Sequence, residues 1–229
     1  MSALIHRFLP GIRAETEVQY QVTQRAGNQF HLLHCQQSAV DWSCGVQASL
    51  QAVKVLTGIS RKEVDGIPYA KAGYWKKFFE MAKELFFIGA DDADIQRLLA
   101  PLGPAIESEV LQFRTLLDAG RQIRKAVLAG QVPVIRYEVS PSNQHWVTVV
   151  GVEEVEGQSV TALLLLDPAS LGPWCCMFNA RLDIKTLAAS SSNTSRRYPT
   201  PLRHISGEAQ GARLISVVVI KRSLGQKKS

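Results

Sequence analysis

The 229-residue chain is 46% apolar and 20% charged with a net charge of +6. It is long enough for one domain with its own core, and its composition excludes a disordered or low-complexity chain. Four cysteines with no Cys-x-x-Cys pair exclude a disulfide scaffold, and no apolar run nears the roughly 20 residues of a membrane span.

Residues 1–30 are weakly patterned and read as an N-terminal extension. They hold one short alternating stretch, Glu17 to Val22, and lack the apolar segment and cleavage site of a secretory signal. A cytoplasmic product, or one exported without a cleaved leader, is therefore expected. Behind Cys44, the residues Val46, Leu50, Val53 and Leu56 recur at helical spacing, and the run stops at Gly58. Ser60-Arg61-Lys62-Glu63 has the pattern of a capping box and predicts a second short helix. Trp75 to Phe86 forms an amphipathic helix ending before Gly89. Asp91 or Asp92 then caps a helix carrying Ile95, Leu98 and Leu99, which Pro101 ends. The helical period resumes at Phe113 and runs through Ile123 and Leu128 to Gly130.

Beyond Gly130 the period falls to two. Val132–Val139, His145–Val155 and Ser159–Leu166 read as strands, with a turn at Glu156-Gly157-Gln158 between the last two, and Leu214–Lys221 reads as a fourth. Residues 186–211, rich in Ser, Thr, Pro and Gly, read as a mobile surface loop, and residues 222–229 as a basic tail. Helices followed by an antiparallel sheet predict an α+β domain with a cleft at the seam.

The chemistry centres on Cys44 and His145. A thiol at a helix N-terminus is acidified by the positive end of the macrodipole, and an imidazole that takes its proton acidifies it further. Gly45 leaves the thiol's approach unobstructed. His145 opens a strand, and Asp167 closes the partner strand of the same hairpin, the two lying nearly symmetrically about residue 156. An acidic side chain behind four leucines needs a partner, which the imidazole supplies. Gln37 or Gln36 can offer an amide N–H to an oxyanion. Trp42 and Trp146 either wall a substrate groove or pack in the core, and Cys175-Cys176 reads as a buried pair. His31, His34 and Cys35 lack a second ligand pair, so neither a metal nor a cofactor is expected. The basic clusters carry no interleaved aromatics, which points to a peptide or protein substrate rather than nucleic acid.

This pattern resembles the papain-like cysteine peptidase superfamily, and within it the bacteriocin-leader (double-glycine) processing peptidases and their free-standing relatives. The matching features are a Gln, Asp41-x-x-Cys44-Gly45 opening a helix, a helix–Gly–Pro–strand stretch from Val127 to Val134, His145-Trp146-Val147-x-Val149-Val150-Gly151, and Leu166-Asp167-Pro168. They span about residues 36 to 169. The resemblance implies a helical layer packed on an antiparallel sheet, and peptide or isopeptide cleavage through a thioester. It makes Cys44 the nucleophile, His145 the general base, Asp167 the orienter and Gln37 the oxyanion donor. Two features depart from the family. Its glutamine usually stands six residues before the cysteine, where this chain has Ser38, and Trp42-Ser43 separate Asp41 from Cys44. The same triad also serves deamidation, transglutamination and cell-wall peptide cleavage, including in secreted bacterial effectors. An inactive fold of this type would be a peptide-binding module.

Overall fold

The structure is a computed structural model that describes residues 3–15, 21–26, 29–38, 41–156, 159–173, 175–184 and 197–223. Most of the Glu17–Val22 stretch, the Gly157-Gln158 turn, Trp174, the serine-rich run from 186 to 196 and the end of the basic tail lie outside the described residues.

The chain begins with β1 (Leu4–Phe8) and a separate three-stranded meander of β2 (Ile12–Glu15), β3 (Gln21–Ala26) and β4 (Gln29–Leu32). A helical stretch follows: α1 (Cys44–Thr57), α2 (Arg61–Gly66), α3 (Gly73–Ile88) and α4 (Asp92–Leu99). Local chemistry sets these ends. Gly58 stops α1 by adopting φ 70°, with its N–H on the Lys54 carbonyl. Reciprocal capping boxes, Ser60 with Glu63 and Asp91 with Asp94, open α2 and α4. After β5 (Ile106–Val110), the Thr115 hydroxyl accepts the Asp118 N–H and starts α5 (Leu116–Leu128).

The remaining strands are β6 (Val132–Ser140), β7 (Asn143–Val155), β8 (Val160–Leu166), β9 (Ala180–Asp183), β10 (Thr200–His204) and β11 (Ala209–Arg222). These six close into a ring in the order β6-β11-β10-β9-β8-β7, with β1 added on β7 and β5 on β11. This differs from the sheet of four strands that the periodicity suggests. Residues 200–204 and 209–211, read from sequence as part of a mobile loop, are strands of the ring. Thr200, Pro201 and Leu202 are buried because β9 and β11 flank them on either side. Closure also explains β8, all seven of whose residues are buried. A strand covered on both faces needs no polar alternation, and each fully buried leucine contributes about 1.5–3 kcal/mol.

The segment read as an N-terminal extension supplies an edge strand, because Phe8 pairs with Gly151. A Cβ on residue 151 would stand 2.7 Å from the Arg7 carbonyl oxygen, so glycine is what lets β1 approach. Helix α1 lies across β6, β7 and β11, pinned by the Thr148 hydroxyl donating to the Ala48 carbonyl at 3.0 Å. That placement sets the N-terminus of α1 beside the start of β7. Among the described residues, no helix is long and apolar enough to cross a membrane.

Candidate active site

Cys44 is the first residue of α1, and Asp41 shapes the turn that leads into it. One carboxylate oxygen of Asp41 accepts the Ser43 N–H at 2.9 Å and the Ser43 hydroxyl, while the other accepts the Ser38 N–H at 3.2 Å. The Ser43 side chain makes no capping bond to the helix, and the backbone N–H groups of Gly45 and Trp146 lie near enough to the Cys44 sulfur to favour its thiolate.

Strand alternation sends adjacent residues of β7 to opposite faces. His145 lies directly across from Tyr137 on β6, and Trp146 lies across from Arg136. On the other side, Thr148 pairs with Leu166. The next residue, Asp167, therefore falls opposite Val147, on the same face as His145 and diagonal to it. The diagonal is spanned by a short contact, with His145 Nε2 2.7 Å from Asp167 Oδ1. With that nitrogen occupied, Nδ1 is left for the thiol; the imidazole stands close enough to act on the protonation of the sulfur, while the thiol's own hydrogen bond runs to the Trp42 carbonyl, 3.9 Å away.

The electrostatics follow from this relay. Burial pushes the Cys44 thiol up, but the neighbouring His145 imidazole and its charge, with the two backbone N–H groups, bring it below its ordinary value. Burial alone would lower His145. The Asp167 charge and hydrogen bond, and the contact with Cys44, instead raise it to about 10. Asp167, only 1% exposed, is driven up by burial and held below the usual carboxylate range by His145, the Ala169 N–H and His204. The site thus favours a thiolate beside an imidazolium, with a carboxylate behind the ring.

Four residues to which the sequence reading gave no part in the triad hold Asp167. The Asn179 side chain brackets its backbone, accepting the Asp167 N–H at 2.6 Å and donating to the Asp167 carbonyl at 2.8 Å. His34 Nε2 lies 3.0 Å from the same carbonyl. The Tyr137 hydroxyl donates to Asp167 Oδ2 at 3.2 Å, and His204 Nδ1 stands 3.9 Å from that oxygen. Tyr137, raised well above its ordinary value by burial and the Asp167 charge, stays a neutral donor. No local motif marks these residues, which come from five different segments together with Asp167. His34, weighed from sequence as a metal ligand, is engaged here. Among the described residues, no group of three His, Cys, Asp or Glu could hold a metal ion.

Gln37 is anchored close by. Its N–H donates to the Pro168 carbonyl at 2.8 Å and its side-chain amide to the Asp41 carbonyl at 2.7 Å, which leaves one amide N–H for a further acceptor. Gln36 instead lines a separate cavity with Cys35, Gln47 and Lys54. Gly45 does not serve as an open approach to the thiol. It is buried, and a Cβ there would lie 3.0 Å from both Ala90 Cβ and Ile95 Cδ1. The Cys175-Cys176 pair is not buried as a unit: Cys175 is exposed, Cys176 is half-buried, and both are free.

A groove of about 210 Å³ reaches Cys44 and is lined by Trp42, Ile88, Ala90, Arg136, Gln144 and Trp146 among others. The two tryptophans divide the roles weighed for them. Trp42 stands 59% exposed at the rim, while Trp146 is buried in the wall with its indole N–H on the Ala90 carbonyl at 2.8 Å. A thiolate, a proton donor and an adjoining groove are the parts that acyl transfer from a carbonyl group requires. The chain matches no protein-family model, and no curated protein is significantly similar to it, so the geometry of the site alone carries the functional reading.

Proposed function

We propose that the chain is a papain-like cysteine hydrolase that cleaves a peptide or isopeptide bond. The observation that carries this is the convergence of Cys44, at the start of α1, on the His145 imidazole, which Asp167 holds at 2.7 Å from across the β7–β8 hairpin. The Cys44 thiolate attacks the substrate carbonyl carbon, and the negative charge moves to the oxygen. The Cys44 N–H at the helix start and the remaining Gln37 amide N–H receive that charge. His145 gives its proton to the leaving amine, the C–N bond breaks, and an acyl thioester remains on Cys44. His145 then takes a proton from water, the hydroxide adds to the thioester carbonyl, and the C–S bond breaks to release the acid and restore the Cys44 thiolate beside the His145 imidazolium. Asp167 is a positioning residue: it touches no substrate but holds the ring and stabilises its charge.

Iodoacetamide labelling with peptide mapping tests this reading. Cys44 is expected to react first at neutral pH, and Cys44→Ala to abolish turnover of a peptide library. Equal labelling of Cys35 or Cys175 would count against an activated Cys44. Ammonia release from glutamine without chain cleavage would move the reaction to deamidation by the same residues, and an unreactive Cys44 would leave a peptide-binding module.

A further inference from the structure

Among the described residues the wall of the groove beside Cys44 contains one cation, Arg136, and it is built to stay in place. Arg136 on β6 faces Trp146 on β7, with its guanidinium over the indole at 5.4 Å from the ring centroid. The indole is itself fixed by its bond to Ala90. A guanidinium held over a buried aromatic ring and paired with a carboxylate has already lost much of its side-chain freedom, so a ligand bound there has less to order.

Arg136 is only partly spent inside the protein. One terminal nitrogen lies 3.1 Å from Asp92 Oδ1, and that same oxygen also accepts the Ser216 hydroxyl at 2.7 Å. The buried Nε has no acceptor. A guanidinium carries five N–H donors, and a buried charged donor left without a partner is costly. The other polar side chains of the groove, Ser142 and Gln144, are neutral, and among the described residues no acidic one lines it. Its volume is below that of a drug-sized pocket and suits a single side chain.

From these observations we infer that Arg136 makes this groove a subsite for an acidic substrate residue, with the carboxylate docking on the guanidinium next to the bond that Cys44 attacks. Trp42 and Ile88, the latter 78% exposed at the rim, cover the aliphatic part of that residue. The inference rests on the proposed hydrolase reading and adds a substrate class to it.

The test uses peptidyl acyloxymethyl ketones that alkylate the thiolate. Paired probes carry Glu or Gln at the first or the second position before the ketone, and iodoacetamide serves as the neutral reference. At one of the two positions the Glu probe reacts roughly tenfold faster than its Gln twin, the order supplied by one charge-assisted hydrogen bond. Arg136→Gln removes that ratio and Arg136→Lys keeps part of it. Asp92→Asn, which frees the guanidinium, raises it. Equal Glu and Gln rates at both positions in the unmodified protein overturn the inference, as does a ratio unmoved by Asp92→Asn, whether or not Arg136→Gln folds. Those results leave the hydrolase reading intact provided iodoacetamide still selects Cys44. Loss of that selectivity instead removes the reading on which the subsite depends.

Discussion

Replacing Gly45 with alanine sets two effects of opposite sign against each other at the base of the site. Alanine in place of glycine within a helix favours folding by about 1 kcal/mol through backbone entropy. The added methyl, however, would stand 3.0 Å from Ala90 Cβ, 3.0 Å from Ile95 Cδ1 and 3.2 Å from Trp146 Cδ1. Room can come only from neighbours that are themselves held. Trp146 is tied to the Ala90 carbonyl, and Ile95 is fully buried against the core. Inserting a methyl into such packing costs about 1–3 kcal/mol, so the variant is expected to be destabilised by about 0–2 kcal/mol net. The strain also has a functional outlet, because tilting the first turn of α1 is the easiest relief and moves the Cys44 sulfur away from His145. Urea denaturation should show a lower midpoint with an unchanged slope, and iodoacetamide should label Cys44 more slowly at pH 7. A midpoint that rises, with labelling unaltered, would refute the claim that packing outweighs propensity at this position.

Further predictions concern the charges and the cradle of Asp167. Because Cys44 is lowered and His145 is raised to about 10, alkylation of Cys44 should stay fast at neutral pH and fall only as acid reprotonates the sulfur. Peptide turnover should fall a second time as pH rises through about 10, where His145 loses the proton it gives to the leaving amine. A labelling rate that climbs only near the free-thiol range of about 8.5 would contradict the ion pair. Asp167→Asn removes the charge that holds His145 up, so the acid limb of the labelling profile should move to higher pH and turnover should drop by roughly 10²–10⁴-fold. An unmoved acid limb would show that the carboxylate does not set the state of the pair. Asn179→Ala removes the partner of the Asp167 N–H and one of the partners of its carbonyl, which keeps His34, and should cost about 2 kcal/mol, read as a lower denaturation midpoint. An unchanged midpoint would mean that the cradle contributes nothing.

What could be read from the residues alone was whatever is decided within a few positions along the chain. The helical period behind Cys44, its stop at Gly58 and the capping boxes at Ser60 and Asp91 record backbone angles and one-sided burial, which neighbouring side chains fix. The same holds for the strand that carries His145 and for the leucine run ahead of Asp167, and hairpin symmetry was enough to suggest that the two ends meet. The ring of strands was not legible, because β9 and β10 are short and form only when flanked by partners from elsewhere in the chain. Nor was the cradle around Asp167: Asn179, Tyr137, His34 and His204 carry no local signature, and their role exists only once closure brings their polar groups within hydrogen-bond reach. Gly45 and Arg136 make the same point from the packing side. The fit of a missing methyl against Ala90 and Ile95, and of a guanidinium over Trp146, belongs to surfaces that meet only in the folded molecule, where close packing and desolvation between distant segments decide what local periodicity cannot encode.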